Sequence, residues 1–130
     1  MRKLTFSAIA VLAVTLFAFA STAAARGAKG SSPVIKSGQC STSSHWTLKA
    51  KADDGRLETE FEVDQNRAGK RWLVTITRNG STVFKGIRTT QAPSGSFTVR
   101  RLLAGAAGSR IHATAKALSS GETCSASISF

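Results

Sequence analysis

HWTLKAKADDGRLETEFEVD, residues 45–64, is the stretch whose reading decides the fold. Asp54-Gly55 separates two runs of alternating character. A two-residue type I′ turn favours Asp-Gly, because both central positions need positive φ. With that turn in place the register is set. Asp53 faces Arg56, Lys51 faces Glu58, Lys49 faces Glu60 and Thr47 faces Glu62. On the other face Ala52 meets Leu57, Ala50 meets Thr59, Leu48 meets Phe61 and Trp46 meets Val63. One face is apolar and the other charged, so a one-residue slip would drive glutamates into the core. Six of the seven acidic residues of the chain lie in this stretch. Their alternation is expected to form the wet face of a hairpin, with each lysine opposite a glutamate. Such cross-strand pairs contribute roughly 0.2–1 kcal/mol each. A catalytic carboxylate pair needs two different environments, which a single solvated strand does not supply.

The same logic extends outward. KRWLVTITR (70–78), STVFKGIRTT (81–90), GSFTVRRLL (95–103), RIHATAKAL (110–118) and ETCSASISF (122–130) are short runs rich in β-branched and aromatic residues or in alternating small ones. Turn residues separate them. Asn79-Gly80 marks a second tight hairpin. Asn79-Gly80-Ser81 also matches an N-glycosylation acceptor, but the turn requires the same residues. Trp72, Val74 and Ile76 are expected in the core, as are Ile111, Ala113, Ala115 and Ala117. Ala126, Ile128 and Phe130 share the face of Cys124. Helix signals are absent and no internal repeat is visible. Seven strands at regular spacing predict an all-β, antiparallel two-sheet sandwich over residues 40–130.

The N-terminus reads as a signal peptide. Arg2 and Lys3 precede the apolar run Leu4–Ala20, and Ala23-Ala24-Ala25 fits a small-x-small cleavage site before Arg26. The rival reading is an uncleaved anchor, since 22 uncharged residues are long enough to span a bilayer. The small residues before Arg26 favour cleavage, and with it a secreted protein, extracellular or associated with the cell wall. Residues 26–39, rich in Gly, Ser and Lys, read as a flexible leader. The chain has two cysteines, Cys40 and Cys124. In an oxidising compartment they are expected to pair, closing a loop of about 85 residues.

Seven strands, a core Trp72 on the third and RIHATAKALSSGE leading into the last strand resemble an immunoglobulin-like or fibronectin type III-like domain. The chain is similar to the small secreted immunoglobulin-like proteins of unknown function common in high-GC Gram-positive bacteria. The resemblance covers about residues 40–130 and implies a seven-stranded immunoglobulin-like sandwich. Two features depart from the antibody pattern. The cysteines lie at the start of the domain and on the last strand, and the chain has no tyrosine for a tyrosine corner. Fold kinship of this kind does not imply function.

Catalytic motifs are absent: no G-x-S-x-G, H-E-x-x-H, phosphate-cradling P-loop or G-x-G-x-x-G occurs. Ser44 and His45 are adjacent on a strand and therefore point apart. His112 alternates with alanines and is expected to face outward. Neither histidine lies at ligand spacing from a cysteine, so no metal and no cofactor is expected. No enzyme is expected either.

Charge is the informative feature. The chain carries a formal +11. Residues 26–64 balance six basic against six acidic side chains, whereas residues 65–130 set ten basic ones against Glu122 alone. The candidate binding residues are Lys85, Arg88, Arg100, Arg101, Arg110 and Lys116. On one face they would attract an anionic polymer or envelope surface; the alternative role is a cationic solubility coat. Few aromatics remain outside the core, which argues against a specific nucleic-acid partner. No amphipathic basic helix suggests membrane activity. The expected function is a secreted, non-enzymatic, monomeric binding module with no integral span after cleavage. A protein partner enters through the second reading, an inhibitor or small-ligand carrier acting through end loops, with QAPSG (91–95) and LLAGAAG (102–108) as its candidates.

Overall fold

A computed structural model describes residues 32–130. The signal-peptide and cleavage readings, and the leader up to residue 31, lie outside the described residues. The strands are β1 (Val34–Gln39), β2 (His45–Asp53), β3 (Arg56–Asp64), β4 (Arg71–Arg78), β5 (Ser81–Thr89), β6 (Ser96–Ala104), β7 (Arg110–Ala117) and β8 (Thr123–Ser129). They form two four-stranded antiparallel sheets, ordered β1-β2-β3-β6 and β5-β4-β7-β8.

The hairpin at 45–64 has the register derived from its turn, from Asp53↔Arg56 to Trp46↔Val63. Asp54 and Gly55 take φ of 51° and 76°, as the type I′ turn requires. Asn79 and Gly80 repeat this at 50° and 84°. One bulge interrupts β5, where Val83 is passed over between Ile76↔Phe84 and Thr77↔Thr82.

Among the described residues the strand count is eight, not seven. The additional strand, β1, lies within the stretch read as a leader. Its residues are mostly exposed and show no apolar alternation, so periodicity could not announce it. It forms because β2 has a free edge, and it pairs there from Val34↔Ala50 to Gln39↔His45. Gly38 permits the approach: a Cβ at that position would lie 2.6 Å from Trp46 Cζ2.

The core lies between the sheets. Leu48, Leu57, Phe61, Val63 and Val99 from one sheet meet Trp72, Val74, Ile76, Ile111 and Ile128 from the other. Trp72 packs against Phe97 with ring centroids 6.3 Å apart, and its indole N–H donates to Gln65 Oε1 at 3.0 Å. Cys40 and Cys124 are disulfide-bonded across a sequence separation of 84. The bridge joins the segment after β1 to β8, tying the edge of one sheet to the edge of the other. Among the described residues no helix is long and apolar enough to cross a membrane.

Candidate functional site

The six candidate cations fall in three places. Arg100 points from β6 onto the outer face of the first sheet. Its guanidinium bonds Glu58 and lies 3.8 Å from Glu60. Arg88 and Arg101 lie on the open flank where β5 meets β6, both over the ring of Phe84. Lys85, Arg110 and Lys116 project from the outer face of the second sheet. Alternation puts them there: Trp72, Val74 and Ile76, with Ile111, Ala113, Ala115 and Ala117, fill the inner face.

That outer face can be read row by row from the strand register. Thr89 and Arg71 lie side by side, and next to Arg71 is Leu118, whose N–H donates to the Arg71 carbonyl at 3.0 Å. The next row is Ile87, Leu73, Lys116 and Thr123. Lys85, Thr75, Thr114 and Ser125 make the third. Thr82, Thr77, His112 and Ser127 make the fourth, and Arg110 with Ser129 closes the sheet. Four cations, Arg71, Lys85, Arg110 and Lys116, thus stand among hydroxyl side chains and, in the first two rows, Leu118, Ile87 and Leu73, with no carboxylate on the face. Among the described residues none of the four makes an ion pair. With strands about 4.8 Å apart and same-face residues about 6.8 Å apart, these charges are spread along a strip ~27 Å long and ~10 Å wide. At one end a shallow groove of about 360 Å³ is lined by Gly69, Lys70, Arg71, Leu118 and Ser119.

The acidic ladder differs from the sequence expectation in one respect. The pairs form as derived, Lys49 to Glu60 at 3.0 Å and Lys51 to Glu58 at 3.6 Å. Glu58, however, is not on a wet surface: it is 3% exposed. β6 lies along the other side of β3, with Leu102 beside Glu58 and Arg100 beside Glu60. Arg100 therefore shares the ladder, and is not free for a partner as its position in the basic half suggested. The hydrogen bond from Arg100 holds the Glu58 carboxyl below its ordinary value of 4.5, against the opposing effect of burial; the charges of Arg100 and Lys51 add to the lowering. A folded-state pKa below the unfolded one gives stability that is complete above about pH 4.5 and lost as pH falls through the folded value. The expected result is that Glu58→Gln flattens the acid limb of the stability–pH curve, measured by urea unfolding from pH 7 to pH 2. A wild-type limb identical to that of the variant would show that the pair makes no such contribution.

Other polar chemistry is structural in its geometry. Glu122, the lone acid of the second half, is buried, and sequence reasoning assigned it nothing. Its Oε1 accepts the Ser43 and Ser44 N–H groups at 3.0 and 2.7 Å, and its Oε2 accepts the Ser44 hydroxyl at 3.0 Å. It so pins the turn beside the disulfide. A buried carboxylate needs such donors, and one acid in a basic half was the only available signal. His112 Nδ1 lies 2.7 Å from Ser127 Oγ on the outer face of the second sheet, a cross-strand pair. His45 is opposite Asp64 in register but makes no ion pair with it. No three His, Cys, Asp or Glu side chains cluster as metal ligands among the described residues.

The two loops named as candidate binding tips lie at opposite ends of the sandwich. Residues 91–95 join β5 to β6 at the end that holds Cys40; of the 102–108 stretch, residues 102–104 are the end of β6 and only 105–108 belong to the 105–109 connection to β7, at the end of the Asp54-Gly55 turn. Both are tied down. Gly95 N–H bonds Gln91 O at 2.7 Å, and Gly95 packs so closely on Asn66 and Arg67 that a Cβ would lie 2.2 Å from Arg67 N. Arg78 donates to the carbonyls of Ala104 and Gly105 and, at 2.9 Å, to the Ser109 hydroxyl. Arg78 is thereby spent on holding the 105–109 loop. No protein-family model, curated protein or solved structure matches this chain.

Proposed function

We propose that this chain is an exported, non-enzymatic binding module of immunoglobulin-like build. It associates with anionic polymers of a cell envelope or its surroundings through the outer face of the second sheet. One observation carries the reading: Arg71, Lys85, Arg110 and Lys116 share a sheet face rich in Ser and Thr that holds no acid. The acids that form ion pairs among the described residues, Glu58 and Glu60, pair within the first sheet and not with this face, which keeps its field. Hydroxyls at Thr75, Thr114 and Ser125 supply donors for phosphate, sulfate or carboxylate oxygens.

The build is supported by strand order. With β1 set aside, β2-β3-β6 and β5-β4-β7-β8 correspond to A-B-E and D-C-F-G, an immunoglobulin constant-type order with its fourth strand moved to the other sheet. Export is supported by the N-terminal stretch and by a disulfide, which an oxidising compartment sustains.

Chromatography on immobilised heparin tests the reading. The protein is expected to bind at about 50 mM salt and to lose affinity steeply as salt rises. Replacing Arg71, Lys85, Arg110 and Lys116 by glutamine is expected to lower the slope of log K against log salt by about 3, at roughly 0.7–0.9 per lost contact. Passage through the column at low salt, or unchanged elution of the variant, overturns the proposal. A tight partner bound independently of salt would instead select an inhibitor or carrier acting through the 91–95 loop.

A further inference from the structure

The β5–β6 flank carries a second feature, separate from the cationic face of the second sheet. Phe84, Gly86 and Arg88 alternate on β5 and point inward, opposite Ile76, Val74 and Trp72. β5 is the edge of its sheet, so this inward row ends at the mouth of the sandwich. Gly86 sets the position of the Phe84 ring. A Cβ at Gly86 would come within 3.2 Å of Phe84 Cζ, so the ring lies back over the glycine along the strand. Arg88, from the same strand, places its guanidinium carbon 4.6 Å from the ring centroid. Arg101 reaches the same ring from β6, in the opposite sheet, at 5.7 Å. The two guanidinium carbons therefore lie within about 10 Å of each other.

Closing an open flank explains the aliphatic stems of two arginines, but not two like charges held on one ring. Among the described residues neither arginine has a carboxylate partner. The acids of β3 alternate onto the outer face of the first sheet, and the residue opposite Arg101 is Thr59. Arg88 makes one internal hydrogen bond, from Nη1 to its neighbour's carbonyl, Ile87 O, at 3.1 Å. Most of the donors on each guanidinium remain available, and both guanidiniums lie over one ring. Planar forks with spare donors are the geometry that takes oxoanions bidentately.

We propose that the flank formed by Phe84, Arg88 and Arg101 is a binding site for a single tetrahedral oxoanion, a phosphate or sulfate group, with the ring aligning both guanidiniums. The site stands or falls independently of the polymer-binding face, because a free anion suffices to fill it. Two cations on one group favour an anion with charge on several oxygens over a monovalent carboxylate.

The test is an NMR titration of the protein with inorganic phosphate, sulfate and acetate at constant ionic strength, tracking arginine Nε–Hε signals. Saturable shifts at Arg88 and Arg101 are expected for phosphate and sulfate, with acetate at least about fivefold weaker. Equal shifts for acetate, or equal shifts at Arg71 and Arg110, would mean general screening and overturn the site. Phe84→Leu keeps both charges while removing the platform. It is expected to weaken phosphate binding at least about threefold in a protein whose melting curve remains cooperative, whereas wild-type affinity in that variant refutes the role of the ring. Competition then identifies the source of the group. Displacement of phosphate by polyphosphate assigns phosphate esters, and displacement by heparin assigns sulfate esters. Equal displacement by polygalacturonate overturns the preference for a tetrahedral group.

Discussion

Replacing Cys40 and Cys124 together by serine is expected to lower the unfolding free energy by about 4–5 kcal/mol, the chain-entropy value for a loop of some 85 residues. For a domain near 100 residues this corresponds to a fall in Tm of roughly 20 °C. The position of the bond sets its importance. It joins the two sheets at the edge where β1 and β2 lie against β8, so it closes nearly the whole domain. The neighbouring contacts are weaker and local. Ser41 N–H donates to Thr123 O at 2.8 Å, Thr123 N–H donates to Ser41 Oγ at 2.9 Å, and Glu122 anchors the turn. These bonds hold the same junction once it has formed, but they do not constrain the unfolded chain. Typical domains are stable by only 5–15 kcal/mol, so the reduced protein is expected to sit near its threshold at 37 °C. Urea unfolding of the double variant, and of the reduced wild type, each against the disulfide-bonded protein, measures the effect. A difference below about 1 kcal/mol would show that the side-chain bonds at Ser41 and Glu122 already determine the junction.

Trp72→Ala is the other large effect, expected at about 3–5 kcal/mol. Trp72 is fully buried and is the largest such side chain among the described residues. It sits on β4, a central strand, and contacts Phe97 of the opposite sheet, so its removal leaves a void shared by both layers. The rigid hydrogen-bonded sheets on either side limit collapse, which keeps the cavity cost high. The indole also donates to Gln65 Oε1, fixing the β3–β4 connection on which Gly95 packs. Trp72→Phe separates the two roles. It retains most of the packing, and its cost should fall to about 1–2 kcal/mol, the worth of the lost hydrogen bond and a smaller void. Equal losses in the two variants would place the whole effect in the Gln65 bond.

Most of the fold was legible because it is local. The turns Asp54-Gly55 and Asn79-Gly80 dictate their own φ values, and each sets the alternation of the strands it joins. Seven of the eight strands come from that period, and the inner and outer residues come with them. β1 was not legible, because VIKSGQ has no pattern of its own and forms a strand only on an edge that β2 provides. The site was legible in composition and not in placement. An excess of cations after residue 64 is plain in the chain, yet Arg100 and Arg101, adjacent in sequence, end on different surfaces. Glu58 looked solvated because its strand partner Lys51 is polar, whereas burial came from Leu102 and Arg100 on the strand at its other side.

The sequence by itself determined the all-β class, the register of the first hairpin, the dry face of the strands that alternate, the charge imbalance and the cysteine pairing. Each of these depends on alternation, on turn stereochemistry or on having only one available partner. The tertiary structure alone decided that β6 pairs with β3 and β7 with β4. That choice sends Arg100 to the acidic ladder, Arg88 and Arg101 to one aromatic ring, and Lys116 to a face without acids. The physical reason is that period-two alternation assigns a side chain to a face of its own strand, while neighbours across strands are fixed by strand order, which is set by non-local packing.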